Sequence, residues 1–226
     1  MNIKEANIVV CTVPAEDVAR VKGLGCLRDK TTPDRFNCRV LTRNGKITSA
    51  ESIAIANAAE KFGSGEVAMT TRQTIEIQGV PYENIDAMRA FLNEYGLDIG
   101  GTGPKVRPVV SCKGTTCVFG LIDTYGLSRK IHDIFYVGYH DVKLPHKFKI
   151  GVGGCPNSCM KPSLNDFGIE AHRVPVYDAE ACKVCKTCAV EEKCPMKAAV
   201  LKDGKLVVDK DSCSDCGVCT RSCPFG

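Results

Sequence analysis

Hydrophobic residues in the first hundred positions follow two periods. The segment FNCRVLTRNGKIT, with Asn44-Gly45 between two β-prone runs, predicts a hairpin. SAESIAIANAAEKFG then turns to helical content, with Ser49 placed as its cap and Gly63 as its stop. EVAMTTRQTIEIQGV predicts strand, in which Ile75 and Ile77 face a core and Arg72 lies on the opposite face. ENIDAMRAFLNEYG predicts a second amphipathic helix ending at Gly96. The order strand, helix, strand, strand, helix argues for a small α+β layer and against a doubly wound sheet.

GGTGP at 100–104 marks a boundary. Beyond it the pattern predicts a strand in KVRPVVS, a helix within GLIDTYGLSRKIHDIF, a strand through HKFKIGVG and a short helix starting near Cys155. Val174 to Asp178 reads as a linker, and AAVLKDGKLVVD carries a second hairpin turn at Asp203-Gly204. The predicted division is 1–100, 101–174 and 175–226.

Cysteine changes the picture. Of fifteen, only Cys11, Cys26 and Cys38 fall in the first hundred residues, and none of these belongs to a motif, so ordinary thiols are expected. The start of the chain carries charge on both sides of an apolar run too short for export. No stretch has the length and apolar character of a membrane span, so a reducing cytoplasm is expected, with thiols free to hold metal. A net charge of +4 and few aromatics, with no tryptophan, give nucleic acid little to bind.

The C-terminal segment is an internal repeat. One half has Cys182, Cys185, Cys188 and then Cys194-Pro195; the other has Cys213, Cys216, Cys219 and then Cys223-Pro224. Thiolates are the soft ligands of iron-sulfur clusters, and two intervening residues let a turning backbone aim successive sulfurs at one cubane. Four thiolates also suit zinc, which stays open as the alternative. The repeat resembles the bacterial two-cluster ferredoxins, in which the fourth cysteine of each run serves the other cluster. That resemblance assigns Cys182, Cys185, Cys188 and Cys223 to one 4Fe-4S cluster and Cys213, Cys216, Cys219 and Cys194 to another. Five residues separate Cys188 from Cys194 where the usual pattern has three, so a local bulge is expected.

Upstream lie two more pairs, Cys112 with Cys117 and Cys155 with Cys159. With Pro156 in the first turn of a helix, Cys155 and Cys159 would share a face, and the four thiols could hold a third cubane, a zinc ion or nothing. Four cations bracket them. Lys147 and Lys149 alternate with Phe148 and so point to one face, Arg107 precedes Cys112, and Arg72 lies opposite the core side of its strand. His132, His140, His146 and His172 are scattered.

Together TTRQTIEIQG, VRPVVSCKGTTC, LPHKFK and GGCPNSC resemble the sirohaem-containing sulfite and nitrite reductases, in the short, ferredoxin-fused form. The resemblance covers roughly residues 36–172 and implies a catalytic half made of a ferredoxin-like α+β layer and a sirohaem/4Fe-4S domain, followed by the two-cluster ferredoxin. It implies that Cys112, Cys117, Cys155 and Cys159 bind a cubane, that the Cys159 sulfur is also the axial ligand of the sirohaem iron, and that Arg72, Arg107 and Asn157 contact the sirohaem. Arg72, Arg107, Lys147 and Lys149 match the cations around the bound oxyanion. The loop between Cys112 and Cys117 is one residue shorter than in many members, so it should differ in shape. The activity implied is the six-electron reduction of sulfite to sulfide, fed by an electron-donor protein, with nitrite as the alternative substrate. From another class, a ferredoxin-like electron carrier would keep the C-terminal clusters but has no use for an anion pocket. Larger members hold two copies of the catalytic half, with cations and cluster cysteines contributed by opposite copies. For this chain that implies a homodimer.

Overall fold

The computed structural model describes residues 11–225, and the apolar run near the N-terminus lies largely outside them. Two compact units are present, and the chain passes between them more than once.

Of the described residues, the first unit comprises 11–110 together with 128–150 and 165–167. It opens with α1 (Ala15–Gly23), β1 (Cys26–Arg28) and β2 (Arg35–Val40), followed by α2 (Ser49–Phe62), β3 (Val67–Met69), β4 (Ile75–Pro81) and α3 (Ile85–Asn93). The strands form an antiparallel sheet in the order β1-β2-β4-β3. Phe36, Cys38 and Val40 of β2 and Ile75 and Ile77 of β4 turn their side chains into one core with Ala54, Ile55, Met88 and Leu92 of the helices. Each large apolar side chain buried there contributes about 1.5–3 kcal/mol. The α+β layer matches the expectation; α1 and β1 were missed, although Pro14, the acidic first turn at Glu16 and Asp17 and the spacing of Val18 and Val21 signal α1.

Three local expectations are corrected. The α2 cap is Thr48, not Ser49: the Thr48 hydroxyl accepts the Glu51 N–H while the Glu51 carboxylate accepts the Thr48 N–H, a reciprocal capping box. Asn44-Gly45 makes a tight left-handed turn, but only the single bridge from Arg43 to Lys46 closes it, because β2 pairs with β1 and β4 instead. Cys26 and Cys38 do not stand apart as separate thiols: they are directly opposed, buried residues of β1 and β2, their Cα atoms 4.0 Å apart and their sulfurs in contact. Antiparallel pairing of close-spaced positions is what brings such Cβ atoms together.

Three strands cross from the first unit into the second: β5 (Val110–Ser111), β6 (Ile150–Gly153) and β7 (Phe167–Glu170), in the order β5-β6-β7. The chain also crosses within α4 (Thr124–Ile131), which continues as a π-helical turn over His132–Val137. The second unit then adds α5 (Ala189–Lys193), the hairpin of β8 (Ala199–Lys202) and β9 (Lys205–Val208), and α6 (Val218–Ser222). The hairpin turn is the expected one, with Asp203 and Gly204 both left-handed at φ 51° and 74°. Among the described residues no helix is long and apolar enough to cross a membrane.

Candidate functional site: a cation group and three cysteine sets

Arg72, expected on a strand, lies in the turn between β3 and β4, and in the first unit it stands beside Arg107. The Arg72 guanidinium donates to Asn165 Oδ1 at 2.7 Å and to the Pro108 carbonyl at 2.9 Å, which sets it beside Arg107. The Lys149 N–H donates to the Asp166 carboxylate at 2.7 Å, next in sequence to Asn165. Phe148 pairs in parallel with Val106, and its carbonyl accepts the Arg107 N–H at 2.8 Å. Lys147 and Lys149 flank this bridge, with Lys147 exposed and Lys149 half-buried. The segment around the lysines is less regular than expected, since β6 begins only at Ile150.

Burial, and then the nearby Arg107 charge, lower the Arg72 pKa, and burial followed by Arg39 does the same to Arg107. Guanidinium stays charged under such pressure, so two cations are held close at an electrostatic cost that an anion would relieve. Arg107 donates through Nη1 to the Gly101 carbonyl, while its buried Nε has no partner among the described residues. Tyr136 packs in the same neighbourhood, its hydroxyl bonded to Gly101 and its pKa raised by burial. Asn165, Asp166 and Tyr136 were missed by sequence reasoning. Asn165 and Asp166 lie far along the chain from the cations they position, and no spacing signals them.

In the second unit, the two upstream cysteine pairs meet where Gly114 packs on Gly154. A Cβ at Gly154 would stand 3.0 Å from the Gly114 Cα and 3.3 Å from Cys112 Sγ. The Gly154 N–H donates to Cys112 Sγ at 3.2 Å, and the Cys112 N–H donates to the Val152 carbonyl at 3.0 Å. Thr124, fully buried, donates to the Cys112 carbonyl at 2.8 Å and accepts from the Thr115 N–H, fixing the short loop to Cys117. The expected helix at Cys155 is absent: Ser158 and Lys161 take positive φ, and successive turns carry the chain from Cys155 to Cys159. Those turns leave Cys159 and Asn157 exposed and Cys155 half-buried.

The C-terminal repeat is visible in the backbone. Val184 and Asp215, each just before the second cysteine of its half, are left-handed at φ 48° and 52°. Each turns its N–H toward the sulfur of the first cysteine, Asp215 to Cys213 at 3.4 Å and Val184 to Cys182. Cys182, Cys185, Cys188 and Cys223 line one cavity, whereas Cys194 lines a second with Cys213 and Cys216. Cys219, at the join, borders both. The five residues between Cys188 and Cys194 form α5. A hydrogen bond from the Tyr177 hydroxyl, then the Val184 N–H, holds the Cys182 pKa down.

Among the described residues no three His, Cys, Asp or Glu side chains converge as on one metal ion. Cysteines ringing a cavity, with backbone N–H groups aimed at sulfur, fit a thiolate-held cubane instead. Cysteine-ringed cavities and a pair of close guanidiniums on an α+β scaffold fit the class of iron-sulfur proteins.

The nitrite/sulfite reductase ferredoxin-like half domain matches residues 28–95, the nitrite and sulphite reductase 4Fe-4S domain matches 102–188, and a 4Fe-4S binding domain matches 206–226. The chain belongs to the sirohaem sulfite/nitrite reductase family. It is 34% identical to the coenzyme F420-dependent sulfite reductase of Methanocaldococcus jannaschii, over 78% of this chain and 27% of that protein. It is 32% identical to one of the subunits of the anaerobic sulfite reductase of Salmonella typhimurium, over 74% of this chain and 53% of that one. Nitrite reductases also stand among its relatives. The crystal structure of a dissimilatory sulfite reductase shares the fold at a TM-score of 0.65 and 21% identity, over 85% of this chain and 52% of the other. The chain thus spans about half the length, or less, of these relatives.

Proposed function

We propose that this chain is a catalytic component of a reductase that takes sulfite to sulfide in six electrons. The observation that carries the reading is the pair of neighbouring guanidiniums of Arg72 and Arg107, to which, among the described residues, no carboxylate is ion-paired, Asp166 acting on Arg72 only as a nearby charge. Arg72, Arg107, Lys147 and Lys149 hold the oxyanion and offset charge on its departing oxygens, and Lys147 or Lys149 supplies protons to them. Cys112, Cys117, Cys155 and Cys159 would hold one cubane, Cys159 would also serve the sirohaem, and Arg72, Arg107 and Asn157 would contact it. The exposure of Cys159 supports that role. When bound, sirohaem and its cubane supply electrons at the substrate atom. The remaining eight cysteines hold two further clusters, three per chain in all, within the proposed 175–226 domain, and a donor protein in the cytoplasm reduces them.

The second unit carries the upstream cysteines and the first carries the cations. We further propose that a homodimer completes the site, each centre combining cations of one subunit with cysteines of the other. Ile134, Phe135, Val137, Tyr139 and Val142 support an apolar interface, since all are large and exposed on one short segment.

Nitrite is the second reading, favoured by the nitrite reductases among the relatives. Steady-state turnover of both anions with a reduced artificial donor tests the choice. A higher kcat/KM for sulfite supports sulfite reduction, and a higher value for nitrite reverses the assignment.

A further inference from the structure

The two cluster sites of the C-terminal repeat are built alike but do not sit alike. A cavity of about 240 Å³ lies within the second unit, lined on one side by Phe119, Cys155 and Asn157 and on the other by Lys193, Pro195 and Cys216. Cys155 belongs to the upstream cubane set, and Cys216 to the set that shares its cavity with Cys194. No cysteine of the Cys182, Cys185, Cys188 and Cys223 set lines it. Arg221 of α6 adds a second tie, donating to the Val118 carbonyl in the Cys117 loop at 3.1 Å. The opposite set faces outward: Cys185 is exposed, and its cavity is bordered by Val176, Tyr177 and Phe225, all exposed.

From this asymmetry we infer that the two C-terminal sites work in series, the Cys194, Cys213, Cys216 and Cys219 site passing electrons to the upstream cubane and the Cys182, Cys185, Cys188 and Cys223 site receiving them. The inference rests on the three-cluster reading above and adds the direction. One electron moves at each step, no bond forms or breaks, and the external one-electron donor protein is the reductant. Lys193 gives the longer first run a purpose. It closes α5 immediately before Cys194, and its ammonium lines the cavity between the inner site and the upstream set. A positive charge there favours the reduced state of both neighbours and acts weakly on the outer site.

The test is potentiometric electron paramagnetic resonance on the anaerobically purified full chain, with two surface variants. Tyr177→Phe removes the hydroxyl bonded to Cys182 and marks the outer centre by lowering its potential. Lys193→Glu is expected to lower the potentials of two centres and to leave the Tyr177-marked centre unshifted. In the wild type, reduction of the unmarked C-terminal centre is expected to broaden the upstream cubane signal. If Lys193→Glu shifts the marked centre, or the marked centre broadens the cubane signal, the order is overturned. Iron content well below three clusters overturns the three-cluster reading, and sulfite turnover plays no part in either result.

Discussion

Gly154 lies so close to Gly114 that a Cβ on the former would stand 3.0 Å from the Cα of the latter, tighter than nearly all real contacts of that kind. Backbone meets backbone there, and neither side can yield by turning a side chain. The contact joins the loop holding Cys112 and Cys117 to the strand end holding Cys155, so a side chain at Gly154 would push the two cysteine pairs apart.

Gly154→Ala should therefore lower iron content by about four per chain, one cubane, while far-ultraviolet circular dichroism is unchanged. Full iron content in this variant would show that the glycine contact does not hold the cysteine pairs together.

Arg72 spans Asn165 Oδ1 and the Pro108 carbonyl with two nitrogens of one planar group, at 2.7 and 2.9 Å. Lysine keeps the charge but not the fork. Arg72→Lys is expected to reduce kcat/KM for sulfite by about tenfold or more, and Arg72→Ala by roughly 10²–10³. Unchanged kinetics in the alanine variant would remove Arg72 from the anion site.

Shared sites predict complementation. Lys149→Ala and Cys159→Ala proteins should each be inactive, and mixing them under conditions of subunit exchange should restore about a quarter of wild-type activity, because half the dimers are mixed and each has one intact site. No recovery despite demonstrated exchange would place all the groups in one subunit.

Thr48 and Glu51 govern the start of α2. Thr48→Ala should destabilise the protein by about 1 kcal/mol in denaturant unfolding. The Arg43 guanidinium, with hydrogen bonds from Thr48, holds the Glu51 carboxyl at about 2, below its usual 4.5. A depressed carboxyl contributes stability that is present above pH 4.5 and is lost as pH falls toward 2. Glu51→Gln should lose stability at neutral pH and show a flatter acid limb across that window. An unaltered acid limb would show that Glu51 does not contribute to it.

What was legible in the sequence was periodic or close in spacing. The core side of Ile75 and Ile77, the alanine-rich run of α2 and the amphipathic run of α3 rest on local pattern, and β4, α2 and α3 follow them. The Asp203-Gly204 turn needed only local chemistry. The cysteine spacing marked the repeat, and Cys194 and Cys223 do line the cavities of the opposite runs. Expectations failed where distant residues decide the local backbone. Asn44-Gly45 turns as its chemistry demands, but β2 finds better partners in β1 and β4. The helix read from Pro156 gave way to left-handed turns at Ser158 and Lys161. Asn165 holds Arg72 from 93 residues away, a separation that no local pattern encodes.

The central claim is that the cation group and the upstream cysteines serve a sirohaem-cubane centre supplied by two ferredoxin-type clusters. An absorption spectrum with total iron, taken on anaerobically purified protein, tests it most directly. Sirohaem bands with about thirteen irons per chain are predicted, while about eight irons without haem bands would contradict the claim and leave an electron carrier.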